Sequence, residues 1–262
     1  MHLVIPARLG STRLPRKPLV EIAGKPMIVW VAERASLVVA DDLIVAVDDQ
    51  EVMDVVRQHG FECLLTSKGH RSGSDRVLEV ASELGWKDED VLVNVQGDEP
   101  LLPTDIVNQL ISFMKSDEDS GIEFATVSEP LSDQSEFENP NCVKVVTDRD
   151  GVALYFSRAP IPFPRDQGVS ESTSNGEYNN LVKVDYPIKR HVGIYAFRVH
   201  ALREFSALPE SGLERLEKLE QLRWLEAGRK IHVIHSEETL PGGVDTPEDL
   251  AIVEPLLLKK QK

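Results

Sequence analysis

MHLVIPARLGSTRLPRKPL, residues 1–19, decides the fold class. Leu3 to Pro6 is a short apolar run that reads as a buried strand. It reaches Arg8 too soon to be a signal peptide, and it opens into a loop punctuated by Gly, Pro and cations over residues 7–26. Beyond that loop the pattern alternates. Residues 27–39 and 50–59 carry helical periodicity, and so do 74–84. Leu43 to Val47, residues 61–65 and Val91 to Val95 are short strand-like runs. Strands separated by helices imply parallel pairing through right-handed crossovers, so the expected fold is an α/β three-layer sandwich with a mostly parallel sheet.

The middle of the chain changes character. Residues 143–148 and 152–157 flank an Arg-Asp-Gly turn and read as a β-hairpin. Residues 166–186, rich in Ser, Asn and Gly, read as a mobile surface excursion. His191 to Phe197 is a further strand, 213–227 one strong helix, 231–235 a last strand, and 247–258 a closing helix with Pro247 in its first turn.

Composition narrows the function classes. The 262 residues are 41% apolar, enough for a substantial core, and the net charge of −15 repels nucleic acid. No apolar run approaches a membrane span. Cys63 and Cys142 lack metal-ligand spacing and read as reduced thiols of a cytoplasmic protein. Against the acidic background stands a basic island: Arg8, Arg13, Arg16 and Lys17 share the first 20 residues with no acid.

In open parallel sheets, ligands bind beyond the carboxyl ends of strands. The first strand runs into the basic island and the fourth into Gln96-Gly97-Asp98-Glu99-Pro100. The first loop is neither a Walker A nor a GxGxxG loop, yet its Gly-Ser-Thr stretch offers donors to phosphate, and Arg8, Arg13 and Lys17 offer counter-charge. One cation about 4 Å from a phosphate oxygen gains roughly 4 kcal/mol at an effective dielectric of about 20. The competing reading pairs these cations with surface acids. Asp98 is placed to hold Mg²⁺, against a plain turn carboxylate; Asp245 is a second candidate, against a helix N-cap. Asp48 and Asp49 read as solvated turn residues. On the 213–227 helix, Glu214, Glu217, Lys218 and Gln221 share one face, opposite Leu213, Leu216, Leu219, Leu222 and Leu225, which also suits an ordinary amphipathic helix.

The chain resembles the 3-deoxy-manno-octulosonate (Kdo) cytidylyltransferases from Ile5 to Leu250. The markers are IPARxxSTRLPxKPL (5–19), GKPMI (24–28), HxSGSDR (70–76), VNVQGDEP (93–100), NxVKVV (141–146, after Asn139 and Pro140), ALYFSRxxIP (153–162), HxGIY (191–195), LExxExLEQLR (213–223) and GVDTPEDL (243–250). The resemblance implies a nucleotide-diphospho-sugar transferase fold. Residues 1–130 would be mainly nucleotide-binding, 131–245 a smaller β-rich half for sugar binding and dimerisation, and 246–262 the closing helix. It implies transfer of CMP from CTP to the anomeric hydroxyl of an acidic eight-carbon sugar, with pyrophosphate leaving, and a homodimer. Arg8, Ser11, Arg13 and Lys17 would hold the phosphates, Ser72, Gly73 and Arg76 the nucleoside, and Asp98 and Asp245 Mg²⁺. Gln96, Arg158, His191, Tyr195, Glu217 and Gln221 would line the sugar pocket, with Arg158 as the fork for the sugar carboxylate. Three features depart from the family: Arg16 replaces a Gly, Ser74 a Thr, and 166–186 is long. Alternatives are 8-amino-Kdo or sialic acid as the sugar, a GT-A glycosyltransferase, and a nucleotide sensor without turnover.

Overall fold

The computed structural model describes residues 1–11, 13–116, 121–131, 133–165 and 187–260. The excursion read into 166–186 lies outside the described residues. In chain order the first elements are β1 (His2–Ala7), a 3₁₀ turn (Lys17–Leu19), β2 (Glu21–Ile22), β3 (Lys25–Pro26), α1 (Met27–Ala35), β4 (Asp42–Val47), α2 (Gln50–Gln58), β5 (Glu62–Leu65), α3 (Gly73–Glu83), β6 (Val91–Asn94) and α4 (Thr104–Ser116). There follow β7 (Phe124–Pro130), α5 (Gln134–Glu138), β8 (Lys144–Thr147), β9 (Ala153–Ser157), β10 (Lys189–Arg198), α6 (Val199–Ala207), α7 (Gly212–Glu217), α8 (Gln221–Glu226), β11 (His232–His235) and α9 (Pro247–Lys260). Two compact units result: residues 1–123, 193–207 and 241–262 form one, residues 124–192 and 208–240 the other.

In the first unit β1 is buried throughout, as its apolar run requires. It pairs in parallel with β4 on one side and β6 on the other, and β5 lies beyond β4. Tyr195 to Arg198 of β10 join β6 antiparallel. The chain steps outward from β1 through β4 to β5, then returns to the opposite side of β1 with β6. Right-handed crossovers place α1 and α2 on one face and α3 on the other. The reversal between β1 and β6 is a topological switch point, where crevices open beyond the strand ends. The mostly parallel sheet with helices on both sides agrees with the sequence expectation. Residues 7–26 are less irregular than expected, because β2 and β3 form a ribbon closed by Ala23 and Gly24, both at positive φ.

One hydrophobic cluster serves this crevice. Leu14, Ile22, Met27, Trp30, Leu101, Val244, Val253 and Leu257 pack together. Leu14 lies in the basic loop, Leu101 follows Asp98, and Val244 precedes Asp245. Val253 and Leu257, one turn apart on α9, close the cluster.

In the second unit β7 and β11 pair in parallel, and β8 and β9 form the expected hairpin with an irregularity at Val146/Thr147. Lys189 and Arg190 of β10 lie antiparallel to β8. The continuous helix expected over 213–227 is a correction: α7 ends at Lys218, which adopts a left-handed conformation (φ 55°), and α8 begins at Gln221. The reason is tertiary. Glu214 turns inward to make a two-pronged ion pair with Arg223 (2.8 and 2.6 Å), both nearly buried. A straight helix would set these two residues, nine positions apart, about 180° around its axis from one another, on opposite faces. Leu216, expected in the core, is 83% exposed, and Glu214, expected on the polar face, is 8% exposed.

Candidate active site

The crevice at the switch point exists because two strand ends approach closely. A side chain on Gly97 would sit 2.8 Å from the Pro6 carbonyl oxygen, so only glycine lets the loop after β6 lie against the end of β1. A cavity of about 420 Å³ opens there, a volume suited to a small-molecule ligand. Arg8, Ser11, Arg13 and Lys17 reach it from the basic loop, and Asp98, Gln96 and Asp245 from the facing segments. Ser72, Gly73 and Arg76 reach it from the start of α3.

The cations are not idle. Lys17 Nζ, 13% exposed, donates to Asp98 Oδ2 at 2.5 Å and to Asp245 Oδ1 at 2.7 Å. Arg13 Nη2 meets the other Asp245 oxygen at 2.9 Å. Arg8 has no ion-pair partner among the described residues, and its charge is felt at Arg76. Arg16 points away, to Glu51 at 2.5 Å, and its backbone is left-handed (φ 56°). That conformation favours glycine, so Arg16 holds it against the preference of an L side chain.

Neither aspartate serves the local purpose that competed for it. The start of α9 is capped by Thr246, whose hydroxyl accepts from the Asp249 amide (3.3 Å), while Asp249 accepts from the Thr246 amide (2.8 Å). Asp245 is therefore free of the cap. The Asp98 main-chain oxygen accepts from Val244 (2.8 Å), which ties the two segments together and leaves its carboxylate to Lys17. Two carboxylates from distant segments thus converge on one positive charge. This fits a magnesium ion, which takes one or two protein carboxylates and completes its shell with water and phosphate. Among the described residues no group of three or more His, Cys, Asp or Glu gathers to hold a metal.

Asp48 departs from the solvated role expected of it. It accepts from the Leu9 amide (2.9 Å) and from Arg76 (3.3 Å), so it ties the basic loop to α3. Asp49 caps α2 through the Glu51 amide (3.0 Å). Ser72 caps α3, and a Cβ added at Gly73 would meet Pro6 at an ordinary contact distance of 3.5 Å. The amino end of α3 thus borders the cavity, a favourable site for negative charge. Arg76 is 5% exposed and hydrogen-bonds Thr66; burial lowers its pKa and Asp48 opposes that shift. His70 and Arg71 also line the cavity, unassigned in the sequence reading although His70 opens the 70–76 motif. His70 Nε2 meets the Glu79 carboxylate. Burial pushes the Glu79 carboxyl up, but His70 and the Ser67 amide outweigh it and hold it below its usual value.

The residues expected to line a sugar pocket divide between the units. In the first, Gln96 Nε2 donates to the Gly193 carbonyl (2.9 Å), and Tyr195, 6% exposed, stacks near Phe197. In the second, both Glu217 oxygens are engaged: Oε1 accepts from Ser157 Oγ (2.6 Å) and Oε2 from the Arg158 amide (2.9 Å). Arg158 directs Nε to the Glu217 carbonyl (2.7 Å) and Nη1 to the Pro140 carbonyl (2.8 Å). His191 Nε2 lies 3.0 Å from Thr126 Oγ1, and its ring meets the edge of Phe156. Burial lowers its pKa to about 3. Gln221 is 2% exposed, and its Nε2 finds no hydrogen-bond partner among the described residues.

The family model described as cytidylyltransferase matches residues 2–231. The chain is 51% identical to a Saccharophagus degradans protein named 3-deoxy-manno-octulosonate cytidylyltransferase, over 95% of this chain and 94% of that one. It is 46% identical to a Cellvibrio japonicus protein of the same name, over 98% and 97%. Among solved structures, a CMP:2-keto-3-deoxy-manno-octonic acid synthetase complexed with CTP is similar with a TM-score of 0.86 and 39% identity, over 98% of both chains.

Proposed function

The chain belongs to the 3-deoxy-manno-octulosonate cytidylyltransferase family, and we propose that it transfers CMP from CTP to the anomeric hydroxyl of Kdo, releasing pyrophosphate. The observation that carries this reading is the single ammonium of Lys17 shared by Asp98 and Asp245 at the mouth of a cationic crevice. Such a cluster is neutral enough to persist without ligand and is made of groups that a metal–triphosphate can re-pair.

Asp98 and Asp245 would hold Mg²⁺. When bound, the ion polarises the α-phosphate and lowers the pKa of the attacking hydroxyl. Lys17 and Arg13 then exchange carboxylate partners for phosphate oxygens. With Arg8 they stabilise the charge that builds on departing pyrophosphate. The α3 amino end and Arg76 border the nucleoside. The Arg158 guanidinium meets the sugar carboxylate. The same reading makes the enzyme a cytoplasmic homodimer. No helix among the described residues is long and apolar enough to cross a membrane.

Pyrophosphate release from CTP, Mg²⁺ and Kdo is the test. UTP, 8-amino-Kdo and sialic acid serve as contrasts and are expected to react at least about tenfold more slowly. Faster release with an 8-amino sugar or sialic acid would reassign the substrate. Release of a nucleoside mono- or diphosphate would point to a glycosyltransferase, and CTP binding without turnover on any of these sugars to a sensor.

A further inference from the structure

The segment Asn139–Lys144 carries part of a family marker, yet it has no role in the chemistry above. Its centre is Lys144, with 0% exposure. The ammonium donates to three main-chain carbonyls: Asn139 at 3.0 Å, Cys142 at 2.5 Å and Arg158 at 2.7 Å. It makes no ion pair among the described residues, and Glu217 acts on it only at longer range. Burial accordingly lowers its pKa. A buried cation met only by carbonyl dipoles is a costly way to hold a turn, since an apolar side chain would fill the same space without desolvating a charge.

The arrangement has one evident product. Asn139, Pro140 and Cys142 form a turn, closed by the Cys142 amide on the Asn139 carbonyl (3.0 Å) and by the Asn141 amide on Asn139 Oδ1 (2.9 Å). Lys144 ties that turn to the end of β9 through the Arg158 carbonyl. The turn's Pro140 carbonyl in turn receives Arg158 Nη1. With Glu217 holding the Arg158 amide and Nε, every polar group of Arg158 except Nη2 is tied within the second unit among the described residues.

We propose that Lys144 is a positioning residue for the acidic sugar: its carbonyl cage fixes the backbone and guanidinium of Arg158 so that Nη2 is aimed at the sugar carboxylate. This rests on the reading that Arg158 receives that carboxylate. Removing the cage lets the turn and Arg158 move independently, so sugar affinity falls while CTP binding does not.

Steady-state kinetics of Lys144→Met, Arg158→Lys and the double variant, with Kdo and CTP varied separately, test the proposal. Lys144→Met is expected to raise the sugar KM about tenfold or more and to leave the CTP KM within about twofold. The double variant should cost no more than Arg158→Lys alone, since both act through one group. An unchanged sugar KM in folded Lys144→Met, with Arg158→Lys impaired, overturns the positioning role while the carboxylate reading stands. An unimpaired Arg158→Lys overturns both. Sugar and CTP parameters declining together in Lys144→Met would show a merely structural lysine. Should Lys144→Met not fold, Lys144→Gln, which retains two donors, carries the same comparison.

Discussion

Lys17 in the first unit and Lys144 in the second are both ammonium groups withdrawn from water, but they are neutralised by different chemistry. Lys17 keeps 13% exposure and sits on two carboxylates that border a cavity. Lys144 is fully enclosed and sits on three main-chain carbonyls. Carboxylates are mobile partners that a metal or a phosphate can replace, whereas carbonyls are fixed by the backbone. The first unit therefore carries charges able to re-pair, and the second carries charges that hold a frame. The buried Glu214–Arg223 pair follows the same division, because it shapes the bend between α7 and α8.

The sharpest way to break this comparison is Asp98→Asn. It leaves Lys17 with Asp245 and preserves the fold, but it removes one of the two carboxylates available to a metal. Pyrophosphate release should drop by about 10³-fold. Turnover near the normal rate would mean that the aspartates only neutralise the loop.

In the second unit the corresponding loss is in stability. Glu214→Gln strands the Arg223 guanidinium in the interior and should cost about 3 kcal/mol in urea unfolding, with the CTP KM unaltered. A cost below about 1 kcal/mol would make the pair a surface-like contact and would leave the break at Lys218 unexplained.

The smallest expected effect is on pH dependence. His191 is held neutral in the folded state, its pKa lowered to about 3 by burial and by Arg190. The unfolded chain protonates near the ordinary value of about 6.5. The folded form thus contributes stability that is complete above about 6.5 and is lost progressively as pH falls toward 3. Between pH 7.5 and 5.5 the protein should lose about 1 kcal/mol more than His191→Asn in unfolding free energy. Equal losses would place the ring in contact with solvent.

Much of the first unit was legible because its signals are local. The run Leu3–Pro6, the alternation with α1 to α3, and the loops after β1 and β6 are patterns of neighbouring residues. The hairpin β8–β9 was legible for the same reason. Outside the first loop, four elements escaped assignment: α4, β7, α5 and α6. The failure at 213–227 is more instructive. LERLEKLEQLRWLEA has strong helix formers throughout, and it breaks at Lys218 because Glu214 and Glu217 find partners inside the second unit. Asp48 likewise changed role when Leu9 and Arg76 came to it from other segments.

Periodicity and strand-end composition by themselves determined that a parallel sheet presents a cationic loop and a carboxylate beyond its strand ends. They could not determine which charges meet, because Lys17 finds its partners 81 and 228 residues away. Only the tertiary structure decided that, by packing Leu14, Leu101 and Val244 into one apolar cluster. Burial of those three side chains brings the loops together, and the charges beside them follow.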